Sequence, residues 1–326
     1  MKIKGTEEPV AIIGFSVNPE IIAEFPRISE REKENLNRLE CQLGGTSANV
    51  ASALAKLGMK TVLFALTGHN NDFHTHCLHF VIENPPPNIS IVNFPILEKG
   101  HMGFVPIDGI KETPQVFGYK GKIQQEKIAD CLKIIRNEER EVWRIATGVR
   151  PPEVELVKAL FGEHHGFRYL NPRKELILEK EILIDLLRQT DILVLNQKEF
   201  DLCKKFDICL GYNDLNSMVN MQNEFAISLV VVTNGEDGGK FSLSTKVATI
   251  RDKYKAFPAT VGKKVFTTGA GDWFAGALIY TFVKAGKSIL EITEAEISDA
   301  MCLATKVAGK KITMRGVGNG PSESDL

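Results

Sequence analysis

The sequence contains no long apolar run and no surplus of either charge. The apolar run at residues 10–14 is too short for the core of a signal peptide, and no stretch approaches the roughly 18 apolar residues of a membrane span. Lysine and arginine number 40 against 41 aspartates and glutamates, so the formal net charge is −1. This balance argues against a protein that mainly neutralises nucleic-acid phosphates. We therefore expect a cytoplasmic protein without a membrane or nucleic-acid partner.

Cysteine is scarce, and no two of the six cysteines form a C-x-x-C pair. The spacing indicates no disulfide framework, and we expect reduced thiols. One cluster of potential metal ligands comprises His69, His74, His76, Cys77 and His79. Its spacing matches no standard zinc site, so we interpret it as a solvated helix face.

Three familiar motifs are also missing. Gly286-Lys287-Ser288 resembles the end of a phosphate-binding P-loop, but Thr281 occupies the place of the required upstream glycine. No G-x-G-x-x-G follows a predicted strand, and no G-x-S-x-G marks a hydrolase nucleophile. A P-loop, a dinucleotide-binding fingerprint and a hydrolase nucleophile elbow are therefore excluded.

Short apolar, β-branched runs alternate with amphipathic stretches along most of the chain. Such runs are typical of strands buried on both faces, and the alternation indicates βαβ units. The predicted strands are 10–13, 61–66, 89–94, 142–146, 168–170, 192–195 and 229–233, and the predicted helices include 124–137, 153–161 and 176–189. We therefore predict an α/β fold, a three-layer α/β/α sandwich with a mostly parallel central sheet, in a single domain over residues 1–326.

Two regions, 16–40 and 92–122, interrupt this alternation. The first contains Pro19, Pro26 and a charge-rich run, and the second contains short strand-like pieces at 104–107 and 115–119. We interpret both as excursions that form a small β-strand lid over one edge of the sheet. Because such a lid exposes an edge and an apolar face, we expect two lids to pair in a homodimer.

The most informative motif is TTGAGD at residues 267–272, which precedes a helical pattern. Its small residues leave backbone N–H groups unobstructed, and together with the positive end of a helix these groups form an anion site. An acid at this place, Asp272, makes sense if it receives a proton beside a phosphoryl group. The alternative is that Asp272 only caps the helix and that the glycines form a tight turn.

Three weaker motifs lie elsewhere in the chain. GGTSAN at residues 44–49 precedes a helical pattern and ends in an asparagine that can contact a hydroxyl-rich ligand. NQKE at residues 196–199 follows a buried strand, where open α/β sheets bind ligands. VTNGEDGG at residues 232–239 forms a glycine turn that can pass close to a nucleotide.

Taken in order, these four motifs resemble those of the ribokinase-like (PfkB) carbohydrate and nucleoside kinases, over nearly the whole chain. The resemblance implies the ribokinase-like fold, with the two excursions as a substrate lid. It also implies transfer of the γ-phosphoryl group of ATP to a substrate hydroxyl, with Mg²⁺ as cofactor. The expected substrate is a small sugar or sugar-like molecule.

The same resemblance implies roles for individual residues. Asp272 would be the catalytic base, and Gly269, Ala270 and Gly271 would donate N–H groups to the developing phosphate charge. Glu199 would hold Mg²⁺ through water. The implied nucleotide-binding residues are Asn196, Thr233, Gly235, Gly238 and Thr268. The implied substrate-binding residues are Asn18, Gly44, Gly45, Asn49 and Arg173.

The sequence departs from the family pattern at three places. Pro19 stands near the position of an aspartate that holds sugar hydroxyls, so Asn18 is expected to substitute for it. Phe266 stands where the family often has an aspartate tied to a monovalent-cation site, so the sequence does not predict potassium activation. Tyr169 replaces the usual aspartate of the segment that ends in Arg173.

Two alternatives to a sugar kinase stay open. A nucleoside substrate requires aromatic stacking, for which Phe15, Phe104 and Phe117 are available, although core packing is their default role. A non-catalytic nucleotide- or sugar-binding regulatory protein would explain the missing aspartate, but not the intact base beside an anion site. For a sugar that already carries a phosphate, the available cations are Lys111, Arg150 and Arg173.

Overall fold

The computed structural model describes residues 10–25, 36–68, 72–83, 85–108, 116–162, 166–258, 266–314, 316 and 318–326. The strands are β1 (Ala11–Phe15), β2 (Asn18–Phe25), β3 (Arg38–Gly44), β4 (Thr61–Leu66), β5 (Ile89–Phe94), β6 (Met102–Asp108), β7 (Phe117–Tyr119), β8 (Trp143–Val149), β9 (Arg168–Pro172), β10 (Ile192–Asn196), β11 (Leu229–Thr233), β12 (Gly239–Ser244) and β13 (Thr249–Tyr254). The helices are α1 (Thr46–Lys56), α2 (Phe73–Ile82), α3 (Ile128–Arg136), α4 (Val154–Phe161), α5 (Lys174–Ile177), α6 (Lys180–Leu187), α7 (Gln197–Lys205), α8 (Asp214–Phe225), α9 (Ala270–Ala285) and α10 (Glu294–Lys311). Every strand predicted from an apolar run is present, with small shifts at its ends.

The larger sheet has nine strands in the order β13-β12-β11-β10-β9-β8-β1-β4-β5. Neighbouring strands from β11 to β5 in this order run parallel, whereas β12 and β13 form an antiparallel edge. Because parallel strands end at the same side of a sheet, the residues that follow β1, β8, β9, β10 and β11 gather along one edge. This carboxyl edge is where open α/β sheets bind ligands.

Helices cover both faces of this sheet, because successive side chains of a strand point to opposite sides. Ile13 and Leu63 belong to a core shared with α1, α9 and α10. Ile12 and Val62 belong to a second core shared with α3, α4, α7 and α8. The predicted three-layer α/β/α sandwich with a mostly parallel central sheet is therefore confirmed.

A second sheet of four strands is built from the two excursions, in the order β3-β2-β6-β7. Strand β2 pairs antiparallel with β3 and parallel with β6. Ile22, Val105, Ile107 and Phe266 form a small core against it. The predicted small β-sheet is present, although it extends past residue 40 to Gly44 and does not include β5, which belongs to the larger sheet.

Two predicted helices differ in detail. The segment 176–189 forms two helices, α5 and α6, because the backbone of Glu179 leaves the helical region with φ −99° and ψ 70°. Helix α9 begins at Ala270 rather than near Asp272, with Gly269 as its N-cap at φ 82°, a value that glycine adopts without strain. Across the described residues, no helix combines the length and apolar character needed to cross a membrane.

Candidate active site

The carboxyl edge of the larger sheet holds a cavity of about 150 Å³. The ends of three strands supply Thr147, Asn196 and Thr233 to its wall, and the first turn of α9 supplies Gly271 and Asp272. Motifs that lie far apart in the sequence therefore meet at one place.

Asp272 is hydrogen-bonded to helix α1. Its Oδ2 accepts a 2.7 Å hydrogen bond from Nδ2 of Asn49 in α1. Burial raises the pKa of Asp272 to about 7, while the bond from Asn49 and the charge of Arg173 oppose this rise. Since Gly269 is the N-cap and no side chain caps the helix, the interpretation of Asp272 as a simple cap is wrong. Its raised pKa means that burial disfavours the ionised form of this carboxyl group.

The N–H groups before and within the first turn of α9 are not all free. The N–H of Ala270 donates to the carbonyl of Thr267 at 3.1 Å, because residues 267–270 close a tight turn. This turn leaves the N–H groups of Gly269 and Gly271 as the better candidates for holding an anion. Thr268 lies in the same turn and is partly exposed.

Gly44 and Gly45 make room for two polar side chains of β2. Gly45 has φ 93°, and a Cβ there would collide with the carbonyl oxygen of Ser16 and lie 2.9 Å from Oδ1 of Asn18. A Cβ at Gly44 would overlap the carboxyl group of Glu20. Asn18 and Glu20 are both buried, and the charge of Glu20 acts on Asp272. These two glycines therefore let β2 come close to Asp272.

Two residues that the motifs did not predict, Glu20 and Lys311, act electrostatically on Asp272. Glu20 Oε2, Lys311 Nζ and Oδ1 of Asn49 are buried and have no hydrogen-bond partner among the described residues. Most buried polar atoms in native proteins are paired, so three orphans around one carboxylate indicate a site for a polar ligand. The sequence pointed only weakly to Glu20 as a site residue, through its acidic side chain in a predicted lid segment. Nothing in the sequence pointed to Lys311, because a lysine in the last turn of a helix is ordinary.

Arg173 follows β9 beside the start of α1. Its Nη2 donates to Oγ1 of Thr46 at 3.4 Å. Its positive charge opposes the rise that burial causes in the pKa of both Asp272 and Glu199. Arg173 therefore lies within electrostatic reach of both carboxylates. Such a cation can interact with a phosphoryl group held between them.

Asn196 and Glu199 form a capping box at the start of α7. Oδ1 of Asn196 accepts from the backbone N–H of Glu199, and Oε2 of Glu199 accepts from that of Asn196, both at 2.9 Å. Burial raises the pKa of Glu199, which lines the 150 Å³ cavity. The box occupies Oε2 and leaves Oε1 for another partner. Since Mg²⁺ usually keeps several waters, one available carboxylate oxygen suits a water-mediated contact.

The histidine-rich segment does not form a metal site in the described part of the chain. It contains no group of three histidine, cysteine, aspartate or glutamate side chains arranged to hold an ion. His74, His76, Cys77 and His79 lie on α2, where Nδ1 of His74 contacts the carbonyl of Gly100 at 2.8 Å. His69 lies outside the described residues.

The glycine turn after β11 leads to a larger cavity. Gly235 and Gly238 have φ of 55° and 83°, and a Cβ at Gly238 would collide with the carbonyl oxygen of Tyr254. Tyr254 at the end of β13 and Met301 of α10 both line a cavity of about 840 Å³. Thr233, just before the turn, lines the smaller cavity beside Asp272. The turn therefore lies next to one lining residue of each cavity.

Two solved structures that share this fold are named as kinases. Phosphofructokinase-2 of Escherichia coli, in complex with potassium, superposes on 97% of this chain and 96% of its own, with a TM-score of 0.74 at 15% identity. Ribokinase of Thermotoga maritima superposes over 97% of both chains, with a TM-score of 0.69 at 17% identity. At these identities the likeness shows the fold alone, which is the ribokinase-like α/β fold.

Sequence comparison narrows this class to a family. Residues 127–325 match the pfkB family carbohydrate kinases, and the chain belongs to that family. The predicted family and enzyme class are therefore confirmed. Membership makes the protein, in general terms, an ATP-dependent kinase of a sugar or a nucleoside.

Two relatives differ in the acceptor that their names give. The nucleoside kinase of Methanocaldococcus jannaschii is 26% identical over 74% of this chain and 72% of its own length. The bifunctional ribokinase/ribose-5-phosphate isomerase A of Fructilactobacillus sanfranciscensis is 26% identical over 85% of this chain. The aligned region spans only 47% of that bifunctional protein. The acceptor of the present chain has to be inferred from its own site.

Proposed function

We propose that the protein transfers the γ-phosphoryl group of ATP to a hydroxyl of a sugar or sugar-like substrate, with Asp272 as the base. The observation that carries this proposal is the 2.7 Å hydrogen bond between Asn49 and Asp272 at the start of α9. It joins the substrate-side helix to a helix start that can hold a phosphoryl group. Phosphoryl transfer depends mainly on such positioning and on stabilisation of negative charge.

Asn49 orients the base. Its Nδ2 donates to Oδ2 of Asp272, which leaves Oδ1 to accept the proton of a substrate hydroxyl. The substrate oxygen forms a bond to the γ-phosphorus, the bond from that phosphorus to the bridging oxygen breaks, and ADP leaves. The N–H groups of Gly269 and Gly271 stabilise the charge on the transferring group.

The nucleotide is assigned to the cavities on either side of the glycine turn at Gly235 and Gly238. Its phosphates lie near Asn196 and Thr233, and its base occupies the 840 Å³ cavity between β13 and α10. Glu199 would hold Mg²⁺ through water, and the ion would neutralise charge on the phosphates.

The small sheet is assigned as a lid over the acceptor. Its strand β2 carries Asn18 and Glu20 toward the same site as Asn49 and Asp272, and Gly44 and Gly45 allow that approach. Buried orphan oxygens on Glu20 and Asn49 suit the hydroxyls of a polyol. A lid of this kind excludes water, which otherwise competes as phosphoryl acceptor.

The positions of the aromatic side chains favour a sugar over a nucleoside. Phe15 is 1% exposed and packs against Phe64 in the core. Phe104 and Phe117 pair across β6 and β7, whereas Glu20 pairs with Gly103 on β6. Since neighbouring residues of a strand point to opposite faces, both rings lie on the face of the lid opposite Glu20. None of the three candidate rings therefore offers a stacking surface beside Glu20.

Asp272→Asn tests this proposal. The substitution removes the base but keeps a side chain of similar size, so ATP binding is expected to persist. Substrate-dependent ADP release should fall by about 10²–10⁴-fold, the usual contribution of a general base. The measurement is ADP release with Mg-ATP and a panel of sugars and nucleosides, beside ATP binding by calorimetry.

Asp130→Asn is the matched control, because Asp130 is exposed on α3. It should release ADP at the wild-type rate. ATP binding without turnover of any acceptor by the wild-type protein would contradict the proposal and favour a non-catalytic regulatory protein.

A further inference from the structure

Basic side chains gather at the junction between the lid and the larger sheet. His101 lies just before β6, Lys120 after β7, Arg150 after β8 and Arg173 after β9. The charges of Lys120, Arg150 and Arg173 all lower the pKa of His101, so the four groups lie within electrostatic reach of one another. Burial is the main cause of this lowering, and it also reduces the pKa of Lys120 to about 8.

His101 is 1% exposed, and both of its ring nitrogens face donors. Nδ1 accepts from the backbone N–H of Gly121 at 2.9 Å, so in the neutral ring Nε2 carries the proton. Nε2 in turn lies 3.3 Å from Nη2 of Arg150, which is also a donor. Nη2 of Arg150 already donates to Glu153, so the Nε2–H of His101 is the donor without an acceptor among the described residues, and an anionic oxygen beside it would supply one.

The neighbouring carboxylates do not neutralise the positive charge of this cluster. Glu153 is engaged by Arg150 through Nε, at 3.0 Å, and through Nη2. Oε1 of Glu20 lies 3.4 Å from the N–H of Gly45, and burial raises the pKa of Glu20. For Lys120, repulsion by Arg173 and Arg150 exceeds the attraction of these two carboxylates. The ammonium of Lys120 therefore sits in a net positive environment.

The cluster and the base belong to one site. Glu20 acts electrostatically on Lys120 and also on Asp272. An acceptor whose hydroxyl lies at Asp272 and whose other end extends beyond Glu20 is therefore within reach of Lys120. Arg173 acts on Asp272 and Glu199 as well, so it serves both the acceptor and the transferring phosphoryl group.

We propose that the acceptor is an anionic polyol, in which a phosphate or a carboxylate accompanies the hydroxyl that is phosphorylated. Lys120, Arg150 and the Nε2–H of His101 hold the anionic group. This inference rests on the proposed function, because the hydroxyl end of the acceptor is defined by Asp272. It goes beyond that function by naming the substrate class.

Acceptor kinetics test this assignment. Wild-type protein is assayed with free hexoses, nucleosides, hexose phosphates and hexonates, and one of the two anionic classes should give the highest kcat/KM. The better class identifies phosphate or carboxylate as the anionic group. Raising the ionic strength should increase the KM for that acceptor.

Variants of Lys120 locate the anionic group. Lys120→Met should raise the KM for the anionic acceptor about 10-fold to 100-fold, as expected for a lost bond to a charged group, and leave the KM for ATP unchanged. Lys120→Arg should retain most of the affinity because it keeps the charge. Lys122→Met is the matched control, since Lys122 is exposed two residues away.

Several outcomes would overturn the proposal while the kinase activity stands. These are a neutral sugar or nucleoside that matches the anionic acceptors in kcat/KM, and a KM that Lys120→Met does not change. If no acceptor is turned over, calorimetry with hexose phosphates and hexonates distinguishes failure of the proposed kinase activity from failure of the proposed anionic site. Binding that Lys120→Met abolishes would support the anionic site without the activity, and absence of binding would reject it.

Discussion

At the scale of single residues, the pKa of Asp272 reflects opposing effects. Burial raises it from 3.8 to about 7, and the hydrogen bond from Asn49 and the charges of Arg173 and Lys311 limit the rise. A general base is most effective when its pKa lies near the working pH. The same position that suits Asp272 to the proposed proton transfer also makes its ionised form unfavourable in the folded protein.

The stability of Asp272→Asn should therefore depend on pH. The folded-state pKa of Asp272 is raised, so the wild-type protein loses stability as pH rises from about 4 through about 7, where this half-buried carboxyl group ionises. Asparagine does not ionise, and Asp272→Asn should gain stability relative to wild type at pH 8 but much less at pH 5. The measurement is urea unfolding at both values, and a difference that does not change with pH would contradict the assigned burial.

Motifs and isolated residues differed in how far they could be predicted. Asp272 and Asn49 lie in motifs whose glycines and helical patterns are visible locally, and the structure brings them into contact. Glu20, Lys120 and Lys311 carry no such local pattern. Their charges become informative only when the fold buries them, because burial makes an unpaired charge costly. Their roles in the proposed site could not be inferred from neighbours in the sequence.

At the scale of elements, the contact between α1 and α9 holds Asp272 and Asn49 together. Gly276 of α9 lies against α1, where an added Cβ would come 2.5 Å from Cβ of Ala53 and 3.3 Å from the carbonyl oxygen of Val50. The two helices can approach this closely because Gly276 has no side chain. Their separation helps to set the Asn49–Asp272 hydrogen bond one turn away along α9.

Gly276→Ala should push α1 and α9 apart. Overpacking of this kind destabilises proteins by about 1–3 kcal/mol, and kcat should fall as the Asn49–Asp272 bond lengthens. Urea unfolding and ADP release measure the two effects. Gly271→Ala is the stability control on the same helix, because an added Cβ there has nothing within 4 Å. Equal stability of both variants would show that α1 and α9 do not need Gly276.

The elements of the larger sheet could be predicted because each strand is one short apolar run. Strands β4, β5 and β11 begin and end where their apolar runs do. The break between α5 and α6 could not be predicted, since apolar positions continue across it at Ile177 and Leu183. Hydrophobic periodicity indicates which residues are buried, but it does not indicate a local change of backbone direction.

At the scale of the whole molecule, the lid depends on pairings that sequence patterns do not specify. Glu20 of β2 lies beside Gln42 of β3 and Gly103 of β6, which come from different excursions. Register in a sheet is set by which face is buried and by how strands meet, and β2 and β6 run parallel without a local turn between them. The sequence indicated two excursions and a small sheet, but not the face on which Glu20 lies.

The outer face of the lid leads to the last prediction, a homodimer formed through the lid. Three of its strands expose apolar side chains, namely Leu39, Phe104, Phe117 and Tyr119. Exposed apolar patches of this kind usually mark contact surfaces. A second copy would cover this apolar face, so light scattering should give twice the chain mass of 36.1 kDa. Phe117→Asp should give monomers, because it places a charge within the contact. The control Val247→Asp, at a turn residue that is more exposed than Phe117, should leave the dimer intact. A wild-type protein that remains monomeric as its concentration rises would rule out this assembly.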